Sequence, residues 1–230
     1  LDPGMLGEVL HGTMQALYCG EKAMEGDFPG DKRSSEREFS PLPVIRADYL
    51  KGWLAREDEI RSKVHRLIAR QMRSVEVRGR DLVTADIIVR MVKKILEEDL
   101  RVVLTHGEMH ILGLELRRHV TIAGHKFTGI IDRLDSFPDG TVRVVDYKTG
   151  GDSPDVLGPE LDVSLVFSEK DGHKNKAALQ FYIYDRMVEE KYGSGVLNAM
   201  YAMSDIFKHP VPEYSQNPGC NALFEKKIEE

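Results

Sequence analysis

Asp132, Asp146 and Lys148 are the residues of this 230-residue chain whose types and spacing suit metal-assisted chemistry. Each aspartate follows two β-branched residues, Ile130-Ile131 and Val144-Val145, and is expected on a strand. Pro138-Asp139-Gly140 between them reads as a turn, so the strands form a hairpin and the two carboxylates approach each other. Carboxylates that share a site repel, and each becomes easier to protonate. A divalent cation removes that penalty; Mg²⁺ takes hard oxygen ligands, and two carboxylates plus a backbone carbonyl suffice to hold it. Lys148 lies two residues beyond Asp146, which puts both side chains on one face of the strand. There an ammonium can orient an attacking water, lower its pKa or steady developing negative charge. An isolated Asp-x-Lys is most often a solvated surface pair, but here it follows a second strand bearing Gly129-x-x-Asp132-Arg133-x-Asp135. Arg133 and Asp135 read as a structural pair or turn contact.

The positioning elements follow from hydrophobic periodicity. Helical spacing covers residues 4–18, about 47–72, 84–96 and 174–191, with Thr84 as a candidate N-cap. Strands are expected over 110–122, 125–136 and 141–148, the first two joined near Ala123-Gly124, and a last strand over 195–203. Residues 19–45 and 149–172 read as loops and the C-terminal tail as polar. Three strands joined by short turns make an antiparallel meander, and a helical crossover adds a further strand. The class is α/β: a central mixed sheet flanked by helices, with a helical insertion over about 46–101.

Composition sets limits. A 41% apolar and 30% charged make-up is ordinary for a globular domain. No apolar run is long enough to span a membrane. Two cysteines, Cys19 and Cys220, cannot make a disulfide framework or a four-cysteine metal site, and a reduced, cytoplasmic setting is expected. The chain is expected to be a single domain over 1–230 and a fragment of a longer protein. Its net charge of −6 is unusual for a stand-alone nucleic-acid binder, although residues 46–101 carry a local basic excess.

Gly129-Ile-Ile-Asp132-Arg133-Leu-Asp135 and Val145-Asp146-Tyr147-Lys148-Thr149-Gly150 resemble two motifs of the RecB-like branch of the PD-(D/E)XK nucleases, the branch of the RecBCD- and AddAB-type helicase–nucleases. Gly7-Glu-Val-Leu-His11 is similar to that branch's histidine-bearing helix, and Gln180-Phe-Tyr-Ile-Tyr184 to its Gln-x-x-x-Tyr helix; all four occur in the family's order. The resemblance implies a restriction-endonuclease-like core. It implies Asp132, Asp146 and Lys148 as catalytic residues, with the metal held by His11, Asp132, Asp146 and the Tyr147 carbonyl. Gln180 and Tyr184, one turn apart on a helix, would support the site, as would Glu115 on the first strand. The implied cofactor is Mg²⁺ or Mn²⁺ and the implied substrate DNA, cut exonucleolytically in recombination or repair beside a helicase domain or subunit. The alternative is a nuclease-fold module that binds DNA or assembles subunits without cutting, for which loss of one member of the acid–acid–lysine set is expected.

The insertion holds one further candidate. Lys63, Arg66, Arg70 and Arg73 share a helical stripe, opposite one of Val64, Leu67, Ile68 and Met72. Such a stripe can track a phosphate backbone, or be a solvated face or a contact to an acidic partner.

Overall fold

The computed structural model describes residues 3–19, 43–73, 76–158, 161–168, 172–193, 195–215 and 218–230. Most of the loop expected over 19–45 lies outside them. Helix α1 spans Pro3–Cys19. Strand β1 (Val44–Ile45) precedes α2 (Ala47–Leu54), α3 (Glu57–Gln71) and α4 (Arg80–His106). The long strands are β2 (Met109–Ile122), β3 (His125–Ser136) and β4 (Val142–Lys148). Then come a 3-10 turn (Pro154–Leu157), α5 (Val163–Val166), α6 (Gly172–Tyr192), β5 (Leu197–Ala202), β6 (Tyr214–Ser215) and α7 (Pro218–Glu229).

The single helix expected over 47–72 is two helices. The chain leaves helical geometry at Arg56 (φ −114°, ψ 53°), and Glu57, Asp58 and Glu59 open α3, where they complement the positive end of the helix. Thr84 is not an N-cap either. Its hydroxyl donates back to the Arg80 carbonyl at 3.4 Å from inside α4, which begins four residues earlier, after Gly79. The polar tail also contains a helix the pattern does not announce: α7 stacks Phe224 on Tyr182 of α6, ring centroids 4.8 Å apart.

The six strands form one mixed sheet in sequence order, antiparallel except for the β4–β5 pair. This is the expected meander plus crossover. One face of the sheet, with Met109, Ile111, Leu114, Val145, Tyr147 and Tyr201, shares a core with α1 and α4, which α2 and α3 extend on the far side. The other, with Leu116, Ile131, Leu134, Val144 and Met200, packs on α6. Strand alternation alone does not produce this division. Leu114 and Leu116 should share a face, yet they enter opposite cores. The cause is Glu115, a non-glycine residue in the left-handed region (φ 52°), close to a register shift between Ile111 and Gly113. Gly113 is part of the same device: a Cβ there would lie 2.3 Å from Leu116 Cδ1, so the leucine occupies space only glycine leaves. Across from Glu115 the alternation of β3 also slips, because Ile131 and Leu134 both face α6. Glu115 and Asp132 thus stand opposite each other where both strands change face.

Candidate active site

The β3–β4 hairpin closes as its residues dictate. The Phe137 and Gly140 amides donate to the Thr141 and Phe137 carbonyls, Asp139 accepts from the Thr141 amide at 2.9 Å, and Gly140 takes φ 86°. The pairing runs from Ser136↔Val142 to Arg133↔Val145 and stops there. Beyond it the strands part, and the Tyr147 amide donates instead to Asp132 Oδ2 at 2.8 Å. The Lys148 carbonyl accepts from the Met203 amide on the β5 side. Successive carbonyls of a strand point to opposite sides, so that of Tyr147 points to the β3 side, toward Asp132. The Tyr147 side chain leaves the site, with its hydroxyl accepting from Arg133 at 2.8 Å.

Helix α1 delivers His11 to the opened strands. Its Nδ1 lies 3.0 Å from Glu115 Oε1 and its Nε2 3.7 Å from Asp132 Oδ2. One ligand atom from each of His11, Glu115 and Asp132 falls within 4.8 Å of the others. Asp146 is adjacent but differently engaged. Lys148 Nζ is 2.8 Å from its Oδ2, and Gln180 Nε2 donates to its Oδ1 at 3.0 Å. Gln180 also accepts from Lys148 at 2.8 Å and donates to the Tyr184 hydroxyl, which donates to the Ile130 carbonyl at 2.6 Å. A carboxamide suits this place because it accepts from an ammonium and donates to a carboxylate at once. Gly129 makes room for the chain of bonds: a Cβ there would lie 2.7 Å from Tyr184 Cε1.

The titration behaviour follows from the crowding. Burial works against charge on His11, but Asp132 and the Glu115 hydrogen bond prevail and raise its pKa to about 9. Burial raises Asp132, against the pull of His11 and with Glu115 adding to the rise. Burial and then Asp132 push Asp146 up to about 6. Three carboxylates thus face one imidazole and one ammonium. Hard oxygen donors with an imidazole at this spacing suit a divalent cation, which would relieve the surplus negative charge.

The sequence model of the PD-(D/E)XK nuclease superfamily matches residues 1–203. The chain belongs to this superfamily. Its members generally use divalent metal ions, and its α/β fold is the one seen here. No curated protein matches the chain.

The expected residues divide in space. His11, Glu115 and Asp132 converge on one point, and Glu115, assigned only a supporting part, is as close to His11 as any acid in the site. Asp146, Lys148, Gln180 and Tyr184 form the adjoining chain of bonds. Lys63, Arg66 and Arg70 lie on α3, which packs beside α1 and α4; Arg73, expected on the same stripe, lies beyond the C-cap Met72 with φ 50° and so leaves the helix. Lys63 lies over the Trp53 ring at 5.4 Å. The α3 C-terminus meets α1 where Gln71 donates to Glu8 at 2.7 Å, one turn before His11.

Beneath the site lies a cluster the sequence did not announce. Arg133 donates to both oxygens of Asp99 at 2.7 Å, and the Tyr201 hydroxyl donates to the same carboxylate at 2.6 Å, joined by that of Tyr18. Arg133 pairs with Asp135 at 3.1 Å; Arg143 pairs with Asp135 at 2.8 Å and with Glu213 at 2.6 Å. All four residues Asp99, Arg133, Asp135 and Arg143 are fully buried. The structural reading of Arg133 and Asp135 therefore agrees with their contacts. The available signal was an arginine beside apolar residues in each strand, Arg133 before Leu134 and Arg143 between Val142 and Val144.

Proposed function

We propose that this protein is a divalent-metal-dependent deoxyribonuclease that hydrolyses phosphodiester bonds. The observation that carries this reading is the pairing of a ligand cluster, His11–Glu115–Asp132, with the Asp146–Lys148–Gln180 chain directly beside it. His11, Asp132, Asp146 and the Tyr147 carbonyl, with Glu115 beside them, would hold Mg²⁺ or Mn²⁺. The cation supplies positive charge at the scissile phosphate, where negative charge develops during hydrolysis. Gln180 and Asp146 hold the Lys148 ammonium in place, and Lys148 orients the attacking water and steadies the phosphate oxygens. Tyr184 anchors Gln180 to the β3 backbone.

The motif set and its order support the RecB-like branch and, with it, exonucleolytic processing of DNA ends in recombination or repair, in the cytoplasm, beside a helicase domain or subunit. The acidic net charge of −6 is consistent with a domain whose partner helps hold DNA. The basic residues Lys63, Arg66 and Arg70 of α3, with Arg73 beyond its end, would then lie along a DNA path beside α1, which carries His11. The complete acid–acid–lysine set favours the active enzyme over a binding module. The test is cleavage of end-labelled linear and closed circular DNA with Mg²⁺ or Mn²⁺, comparing wild type with Lys148→Ala and Asp146→Ala. Metal-dependent shortening of linear DNA alone, lost in both variants, is expected. Cleavage that persists in both variants refutes the assignment.

A further inference from the structure

Strands β2 and β3 continue well past the rest of the sheet. β1 pairs only at Met109 and His110, and β4 pairs with β3 only from Arg133 to Ser136. From Leu116 to Ile131 the chain is therefore a two-stranded ribbon, closed by a turn with Ala123 at φ 49° and Gly124 at φ 78°. At roughly 3.3 Å per residue its arms are about 20 Å long. This stretch holds two arginines, one lysine and two histidines and no acidic residue, in a chain whose net charge is −6.

The two faces of the ribbon differ. Leu116, Val120, Ile122, Phe127 and Ile131 turn toward α6 and its neighbours. The opposite face is formed by the cross-strand pairs Arg117↔Ile130, His119↔Thr128 and Thr121↔Lys126. His119, Thr121, Lys126, Thr128 and Ile130 are exposed and Arg117 is half-buried. His119 Nδ1 lies 2.8 Å from Thr128 Oγ1, which braces the middle pair. Neither Arg117 nor Lys126 has an ion-pair partner among the described residues. The next pair along this face is Glu115 opposite Asp132, the ligand cluster itself. An uncovered face that begins at the metal cluster and carries unopposed positive charge outward has the chemistry of a phosphate-tracking surface.

We propose that this face of the β2–β3 ribbon, through Arg117 and Lys126 with His119 and Thr128 between them, binds the phosphate backbone of the DNA strand that enters or leaves the active site. The inference rests on the nuclease reading for its choice of partner. Contacts here are to phosphates, so they are indifferent to sequence, and they add to the salt dependence of binding. An arm of about 20 Å covers several nucleotides at 3.4 Å of rise per step along a strand.

The experiment measures binding of a fluorescein-labelled DNA duplex with a single-stranded overhang to the full chain, with Ca²⁺ present, over a range of salt. Wild type is compared with the double variant Arg117→Gln/Lys126→Gln and with Lys226→Gln on α7, and wild-type cleavage is assayed in parallel with Mg²⁺. The double variant is expected to bind about tenfold more weakly at physiological salt, with the slope of log K against log salt reduced by about 1.5, as the loss of two phosphate contacts requires. Lys226→Gln is expected to match wild type. Unchanged affinity and slope in the double variant, while wild type cuts DNA, overturn the ribbon surface and leave the nuclease reading standing. A reduced slope in a protein that does not cut supports the surface and counts against the nuclease reading. A wild type that neither cuts nor binds overturns both.

Discussion

Asp132 and Asp135 stand three residues apart on β3; Asp135 is fully buried and Asp132 is 9% exposed, and burial raises both, but the positive charge around them differs in kind. Around Asp135 the charges are matched: Arg133 and Arg143 balance Asp135 and Asp99, and tyrosine hydroxyls fill remaining positions on Asp99. Burial raises Asp135 against the pull of both arginines, whereas at Asp99 the charge and hydrogen bonds of Arg133 prevail over burial and hold the carboxylate below the usual range. Around Asp132 the cations are a titratable imidazole and a lysine shared with Asp146, and both aspartates are raised. A buried carboxylate with permanent arginine partners is part of the framework. A group of carboxylates short of positive charge is one that a divalent cation would relieve.

The largest expected effect is on the framework. Asp99→Ala strands Arg133 without its main partner and should cost about 3–5 kcal/mol in denaturant unfolding. Asp132→Asn should leave the metal-free protein at least as stable as wild type. Equal losses in the two variants would remove the distinction between the clusters. Next in size, Lys148→Ala should lower the cleavage rate by about 10²–10³-fold, about 2.7–4 kcal/mol, with the unfolding midpoint close to wild type. Divalent metal should protect the wild type by about 2.7 kcal/mol at a hundred times its Kd, a shift that thermal unfolding reads and that Asp132→Asn should abolish. Gly129→Ala pushes a methyl into the Tyr184 ring and should cost about 1–3 kcal/mol, with weaker cleavage because Gln180 loses its anchor.

The smallest effect is a pH dependence that only the site cluster should show. The His11 pKa is raised from 6.5 to about 9 in the folded, metal-free protein. The folded state therefore holds this proton more tightly than the unfolded chain. Its stabilising contribution is complete below pH 6.5 and is lost as pH rises through about 9. An NMR titration of the His11 ring without metal should have its midpoint near 9, and added metal should displace the proton at lower pH. A midpoint near 6.5 would mean that Asp132 and Glu115 do not act on the ring as their distances imply.

Much of this was legible in the residues. The Asp146-x-Lys148 pair, the Pro138-Asp139-Gly140 turn and the Gln180–Tyr184 spacing each declare a local geometry, because strand alternation, turn chemistry and helical period act over a few residues. Hydrophobic periodicity likewise announced the three long strands and the crossover helix. Local pattern could not say which distant group meets which. His11 and Glu115 are 104 positions apart and touch only because α1 packs across the opened strands. In α4, nothing in the acidic stretch Glu97-Glu98-Asp99 marks Asp99 as buried; it is buried because an arginine from β3 and tyrosines from α1 and β5 arrive around it. Alternation on β2 predicts one face for Leu114 and Leu116, and the left-handed turn at Glu115 sends them into different cores. The residue types alone determined the chemistry available to this protein. Tertiary packing decided which charges are neutralised by permanent partners and which are left short of positive charge, because desolvation and long-range pairing have no local signature.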